Sequence, residues 1–425
     1  MARKIGFYTV LFYVAYGLFF YWYLFYHAKT ALPFEYQGTQ ADPATFLNSR
    51  ELFLSEEYSK VRNFLFFLST PFEWVLYLLI LLLGLSKAYQ KWGEKSAKYK
   101  ILQQGIYLFW LSLTAYIATF PLSYISYTLS KTYNISTQSF AAWMKDELID
   151  FWVNFGFLYV FVVVVYWLMN KSKKRWWLYV WLMSVPFTLF ITFIQPVVID
   201  PLYNDFTPLQ NKELEAKILN LAKKSDIPAE HVFEVNMSDK TNALNAYVTG
   251  IGSNSRIVLW DTTLNKLQDK EILFVMAHEM AHYVEKHIYI GIGISLCISF
   301  IGLYIIYKLM HMIVAKWGNA FKIADVKDIR SLPLMLALIS FLFFISSPLT
   351  NVISRYEEER ADQYAIEMTE SPDAGITTFQ KLAKSGLSEI NPPLLVKIFR
   401  YNHPTMLERI AELEEASVLK KNSGK

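Results

Sequence analysis

Long apolar stretches divide the chain. Seven of them, at residues 7–26, 64–86, 105–127, 151–169, 176–199, 288–310 and 332–351, have the roughly 20 residues needed to cross a bilayer core as a helix. Aromatic residues crowd several of their ends, as at Tyr21, Trp22, Tyr23, Trp176 and Trp177, in the manner of interfacial belts. Two segments are polar enough to fold outside lipid. Residues 200–287 carry a helical period at Leu214, Ile218, Leu221 and Ala222, then strand-like runs at 231–235 and 256–260. Residues 352–425 read as helical throughout. Between these segments the chain crosses once, turns and crosses back, so both lie on one side of the membrane and can form one composite domain.

Composition strengthens this reading. Of 425 residues, 54% are hydrophobic, 17% aromatic and only 18% charged, against about 25% charged in ordinary soluble domains. The mean hydropathy is +0.23. These values exclude a disordered chain and a collagen-like fibre, and a net charge of +4 is too small to argue for a nucleic-acid partner. The single cysteine, Cys297, excludes an intramolecular disulfide and a cysteine-based zinc site. The predicted environment is a lipid bilayer. Lys and Arg concentrate in the loops opposite the composite domain, among them Lys87, Lys91, Lys171, Lys173, Lys316 and Lys322, which by the loop-charge rule places that domain away from the cytoplasm. Glu73, within the second span, is a carboxylate at membrane depth and is expected to face the bundle interior or a water-filled cavity.

The chemistry concentrates in Phe274-Val275-Met276-Ala277-His278-Glu279-Met280-Ala281-His282, which fits HExxH on a helix. Residues four apart share a helix face, so His278 and His282 can present imidazoles to one zinc ion with Glu279 beside them as the general base of a metalloprotease. With 7 His in the chain, a chance match is expected on the order of 0.01 times. A catalytic zinc needs a third protein ligand and an open position. The string Glu357-Glu358-Glu359-Arg360-Ala361-Asp362, just beyond the seventh span on the correct side, can supply it. Glu358 and Asp362 are four apart. Glu358 could ligate, and Asp362 could fix the tautomer of a ligand imidazole. The plainer alternative is a solvated acidic face paired with Arg355 and Arg360.

Two weaker signals remain. Asn245-Ala246-Tyr247 lies between strand-like runs and is either an ordinary strand or an edge that pairs with an extended substrate. His403 and Arg409 could stabilise an oxyanion, or His403 could simply start a helix. His287 and His311 are expected at the membrane interface.

Together these motifs resemble the integral-membrane CAAX prenyl endopeptidases. The resemblance rests on Pro201-Leu202 with Phe206-Thr207-Pro208-Leu209, Asn245-Ala246-Tyr247, Arg256 to Thr262, His278 to His282, Ser354-Arg355 with Glu358 and Ala361-Asp362, and His403-Pro404 with Leu407-Glu408-Arg409. It implies a mainly α fold: seven transmembrane helices enclosing a water-filled chamber, capped by a zinc metalloprotease domain with a small β-sheet. It implies one zinc per chain, with Glu358 as third ligand beside His278 and His282, and a substrate-holding strand at Asn245, Ala246 and Tyr247. His403 and Arg409 fall near its active site, with Glu279 as the base. The substrates it implies are prenylated C-terminal peptides, and its usual orientation puts the zinc domain on the cytoplasmic side, opposite to the loop charges.

The expected division is five spans with their loops in 1–199, a first peptidase part in 200–287, two spans in 288–351 and a second peptidase part in 352–425. The expected location is the endoplasmic reticulum membrane in a eukaryote or the inner membrane in a bacterium. Two rivals stand beside this reading: a membrane quality-control zinc protease without a prenyl requirement, and a seven-span receptor or scaffold with a structural zinc.

Overall fold

The computed structural model describes residues 1–249 and 256–423. Among the described residues, six helices are long and apolar enough to cross a membrane. They are α1 (Ala2–Trp22), which continues as a π-helical turn to His27, α2 (Ser49–Leu83), α4 (Lys100–Thr132), α5 (Phe140–Lys171), α10 (His287–Phe321) and α11 (Leu332–Thr369). The short α3 (Leu85–Ser96) follows α2 after Gly84, which closes α2 at φ 81°.

The expected fifth span is α6 (Trp176–Ile194) followed by a π-helical turn, Gln195–Ile199, and a short 3-10 turn. The chain bends by 46° at this break, and counting the bent pair as one span gives seven. Pro186 and Pro196 lie on either side of the bend; each lacks an amide N–H, which weakens the helical ladder there.

Several helices outrun the lipid. The 35 residues of α2 make a rod of roughly 50 Å. It starts well before the apolar stretch because Asn48 and Glu51 form a capping box. The last span and the acidic string, expected as two elements, are one 38-residue helix, α11, with Pro348 inside it. Glu358 and Asp362 are therefore fixed rigidly to a membrane helix.

Outside the spans, β1 (Phe206–Pro208), β2 (Val232–Val235), β3 (Ala246–Thr249) and β4 (Arg256–Trp260) form one sheet in the order β1-β2-β4-β3. Only β2 and β4 run parallel. β3 pairs with β4 alone among the described strands, Ala246 opposite Leu259 and Tyr247 opposite Val258, so its other edge is free. α7 (Lys212–Lys224) buries Leu214, Ile218, Leu221 and Ala222, as the helical period predicts. The short α8 (Asp261–Lys266) leads to α9 (Asp269–Val284), which carries HExxH.

The tail folds as α12 (Pro372–Gly386), α13 (Leu394–Arg400) and α14 (Met406–Ser423). One apolar core joins the two segments: Ile218, Leu259, Phe274 and Met276 from the first, Phe379, Ile410 and Leu413 from the second. The approach of α12 to α9 requires glycine at 375, where a Cβ would stand 2.6 Å from Cζ of Phe274.

The loops on this side join the same body. Lys240 Nζ meets Asp146 at 2.6 Å, and Ser136 bridges Thr241. Between α2, α4 and α5, Ser69, Glu73, Ser123, Ser126 and Glu147 line one partly open polar cavity, so Glu73 faces a cavity, as expected. The helices enclose a chamber and the sheet-bearing body caps it.

Candidate metal centre and active site

The first turn of α9 is secured by a Gln268–Glu271 capping box. Ile272, Phe274, Met276, Ala277, Met280 and Ala281 anchor the helix in the core, leaving His278 and Glu279 to the cleft and His282 one turn further along the face of His278. α11 crosses beside it and delivers Glu358 and Asp362, both buried. Nε2 of His278 lies 3.4 Å from Nε2 of His282. Glu358 Oε2 is 3.2 Å from His278 Nε2, and Oε1 is 3.5 Å from His282 Nε2. One ligand atom from each of the three residues lies within 4.8 Å of the others.

The residues around this trio set its protonation. His278 Nδ1 is 2.8 Å from Asp362 Oδ1. Arg409 Nε and Nη2 donate to both Asp362 oxygens at 2.7 and 2.6 Å, and its guanidinium lies 3.9 Å from the centre of the Phe379 ring. With a proton on Nδ1 facing Asp362, His278 turns Nε2 towards Glu358, the nitrogen at which a cation would take the place of a second proton. Oε2 of Glu358 is buried and accepts no well-directed hydrogen bond. Two ring nitrogens and a carboxylate oxygen crowd one point, an arrangement that suits a cation. Burial opposes a charge on His278, but the Asp362 and Glu358 carboxylates outweigh it and raise its pKa to about 10. Burial and the neighbouring His278 charge lower His282 to about 4. The donor set, two imidazoles and one carboxylate, fits a divalent metal with a position left open.

The remaining candidates surround this point. Glu279 lines the cleft, and its carboxylate makes no hydrogen bond to another described residue; burial pushes its carboxyl up to about 7, opposed by the His278 charge. His403, on the exposed loop before α14, brings Nε2 to 3.2 Å from Glu358 Oε1 and sets Nδ1 2.9 Å from Asn402 Oδ1. Asn245 and Ala246 line the same cleft. Tyr247, one residue further along β3, is not among its lining residues. Arg409 also lines the cleft, but its fork is engaged by Asp362.

His287, the first residue of α10, is buried, and its Nδ1 sits 2.9 Å from Nδ1 of His282. Lys286 makes this possible: at φ 60° it takes a left-handed turn between α9 and α10 and folds His287 back. Glu285 holds the far side of the His287 ring at 3.3 Å and is itself paired with Arg360 at 2.8 Å. The signal available in the sequence was a third histidine five residues past the motif.

Comparison with known proteins places this geometry. Residues 208–417 match Peptidase family M48, and residues 23–205 match the CAAX prenyl protease N-terminal region of five membrane helices. The chain is 54% identical, over 95% of both chains, to the protein described as "Uncharacterized metalloprotease YhfN" of Bacillus subtilis. The chain belongs to peptidase family M48. It is also 30% identical to a CAAX prenyl protease 1 homolog of Dictyostelium discoideum, covering 73% of this chain and 72% of that one. The crystal structure of S. mikatae Ste24p superposes with a TM-score of 0.78 at 21% identity, covering 97% of this chain and 98% of the other, which shows the shared fold. As an M48 peptidase with this set of membrane helices, the protein is a multi-pass membrane metalloprotease, and the receptor or scaffold reading falls away. The family implies a metal, and the His278–His282–Glu358 trio is the arrangement in this chain that fits one.

Proposed function

We propose that this M48 protease is a zinc endopeptidase that cuts peptide bonds near the C-terminus of prenylated, CAAX-type proteins. The convergence of His278, His282 and Glu358 from two distant helices carries the protease chemistry. The substrate class is supported by the name CAAX prenyl protease 1 on relatives such as those of Dictyostelium discoideum and Saccharomyces cerevisiae.

The proposed roles follow from the contacts. His278, His282 and Glu358 hold one zinc per chain. Zinc there supplies Lewis acidity and lowers the pKa of a water towards about 7. Glu279 takes the proton that the attacking water loses and passes it to the nitrogen of the departing amine. Asp362 holds the Nδ1 proton of His278, and Arg409 holds Asp362, so Arg409 is a positioning residue. His403 reaches the carbonyl oxygen as charge develops on it. The free edge of β3 at Asn245, Ala246 and Tyr247 adds an extended peptide as a further strand. Residues 200–287 and 352–425 make the peptidase body, and residues 1–199 and 288–351 the membrane part. The membrane is that of the endoplasmic reticulum in a eukaryote and the inner membrane in a bacterium.

The test compares a farnesylated peptide with its unmodified counterpart, using the full chain and Glu279→Gln. The proposal predicts faster cleavage of the farnesylated peptide, and a loss of about 10²–10⁴-fold in Glu279→Gln with the metal retained. Equal rates on the two peptides would leave a membrane protease without a prenyl requirement. Undiminished cleavage by Glu279→Gln would falsify its role as the base.

A further inference from the structure

The cleft lined by His278 and Glu279, beside the metal trio, carries two further cations. Arg62 from α2 and Arg400 from the last turn of α13 line it together with Asn245, Glu279, Tyr401 and His403. The protein's other cleft arginine is neutralised: Arg409 grips Asp362 at 2.6 Å. Outside the cleft, Arg360 meets Glu285 at 2.8 Å. Arg62 and Arg400 have no such partner: no carboxylate among the described residues lies within the 4.0 Å of an ion pair.

What they do touch is neutral. Arg400 Nη1 donates to Asn63 Oδ1, and its guanidinium lies 5.8 Å from the Phe66 ring centre. Arg62 lies over the Tyr58 ring at 5.1 Å, and its Nε is buried without a hydrogen-bond partner. The nearby acid, Glu389, accepts from Asn63 Nδ2 at 3.4 Å. Burial and the charge of Arg62 both work against the charge on Arg400 and lower its pKa to about 10. A guanidinium at that value keeps its proton at neutral pH; Glu389 acts on Arg400 from a distance, and neither Arg62 nor Arg400 has a carboxylate in direct contact among the described residues.

We propose that Arg62 and Arg400 bind the free α-carboxylate at the C-terminus of the peptide being cut. The inference rests on the reading of the site as a protease acting near chain ends, and adds how the end is recognised. An α-carboxylate distinguishes a chain end from an internal segment, and the planar guanidinium fork matches it with two parallel hydrogen bonds. An extended peptide advances about 3.3 Å per residue, so the fixed separation between the arginine pair and the metal trio sets how many residues are released.

The experiment uses the full chain in lipid nanodiscs and two farnesylated peptides of one sequence, one ending in a free carboxylate and one in a carboxamide. The wild type should favour the acid by about tenfold or more in kcat/KM, mainly through KM. Arg62→Gln and Arg400→Gln should lose that preference while cleaving the amide at nearly the wild-type rate, and Arg62→Lys should keep part of it. Thermal unfolding checks each variant; one that fails to fold is replaced by its lysine counterpart and judged on the same ratio. Equal rates for acid and amide in the wild type overturn the proposal, as does an equal proportional loss on both peptides in the variants. If the wild type cuts neither peptide, the protease reading fails by itself. The anion site is then read by peptide binding to Glu279→Gln: tighter binding of the acid, abolished by Arg62→Gln, upholds it, and equal binding overturns it.

Discussion

Asp362 stands 2.8 Å from Nδ1 of His278, and this contact decides which nitrogen of the ring is free to face Glu358. The carboxylate itself cannot turn, because Arg409 holds both its oxygens. Replacing Asp362 by Asn should keep the fold but loosen this control, weakening metal affinity about 10–100-fold. Competition with a chromogenic chelator measures it. Unchanged affinity would mean that Asp362 does not orient His278.

Arg409 is expected to act through Asp362 and not on substrate. It is buried at 7% exposure, so Arg409→Ala leaves the buried Asp362 carboxylate with His278 alone as partner and should cost up to about 3–5 kcal/mol of stability, together with metal affinity. Thermal unfolding and metal titration of the same preparation separate the roles. Lost turnover with stability and affinity intact would place Arg409 at the reacting atoms instead.

The contact of Gly375 with Phe274 leads to a packing prediction. Gly375→Ala puts a methyl 2.6 Å from the ring beside the metal helix, and overpacking of this kind costs about 1–3 kcal/mol. A lowered unfolding midpoint checks it. A neutral result would show that α12 can move away from α9 freely.

Glu389 makes a pH-dependent contribution. Burial and the neighbouring Glu56 raise its carboxyl from the usual 4.5 to about 7, against the pull of Lys60, Arg62 and Arg400. A raised acid pKa means that the fold disfavours the charged form. Its contribution to stability is therefore complete below about pH 4.5 and is lost as pH rises to about 7. Glu389→Gln should flatten the fall in stability over that window, read from unfolding midpoints at several pH values. A fall of the same size in the variant would contradict the assignment.

What could be read from sequence, and what could not, follows from range of interaction. HExxH was legible because its geometry is local: four residues along one helix fix the relation of His278 to His282. Glu358 and Asp362 were legible as a second i, i+4 pair, with span parity to place them. The continuity of α11 through Pro348 was not, since a change from apolar to acidic residues looks like a boundary even when the hydrogen-bond ladder runs on. The bend after α6 was hidden in an unbroken apolar run. The burial of His287 depends on one left-handed residue, Lys286, at a φ that a lysine rarely adopts. Arg62 and Arg400 lie in segments far apart in the chain, and no local pattern marks two arginines that meet only when α2 and α13 line one cleft.

The central claim is that His278, His282 and Glu358 together hold one catalytic metal ion. Metal content of the purified full chain, set against that of Glu358→Gln, tests it most directly. The account predicts about one zinc per wild-type chain and a clear loss in the variant. A wild type without bound zinc, or a variant that retains it in full, would contradict it.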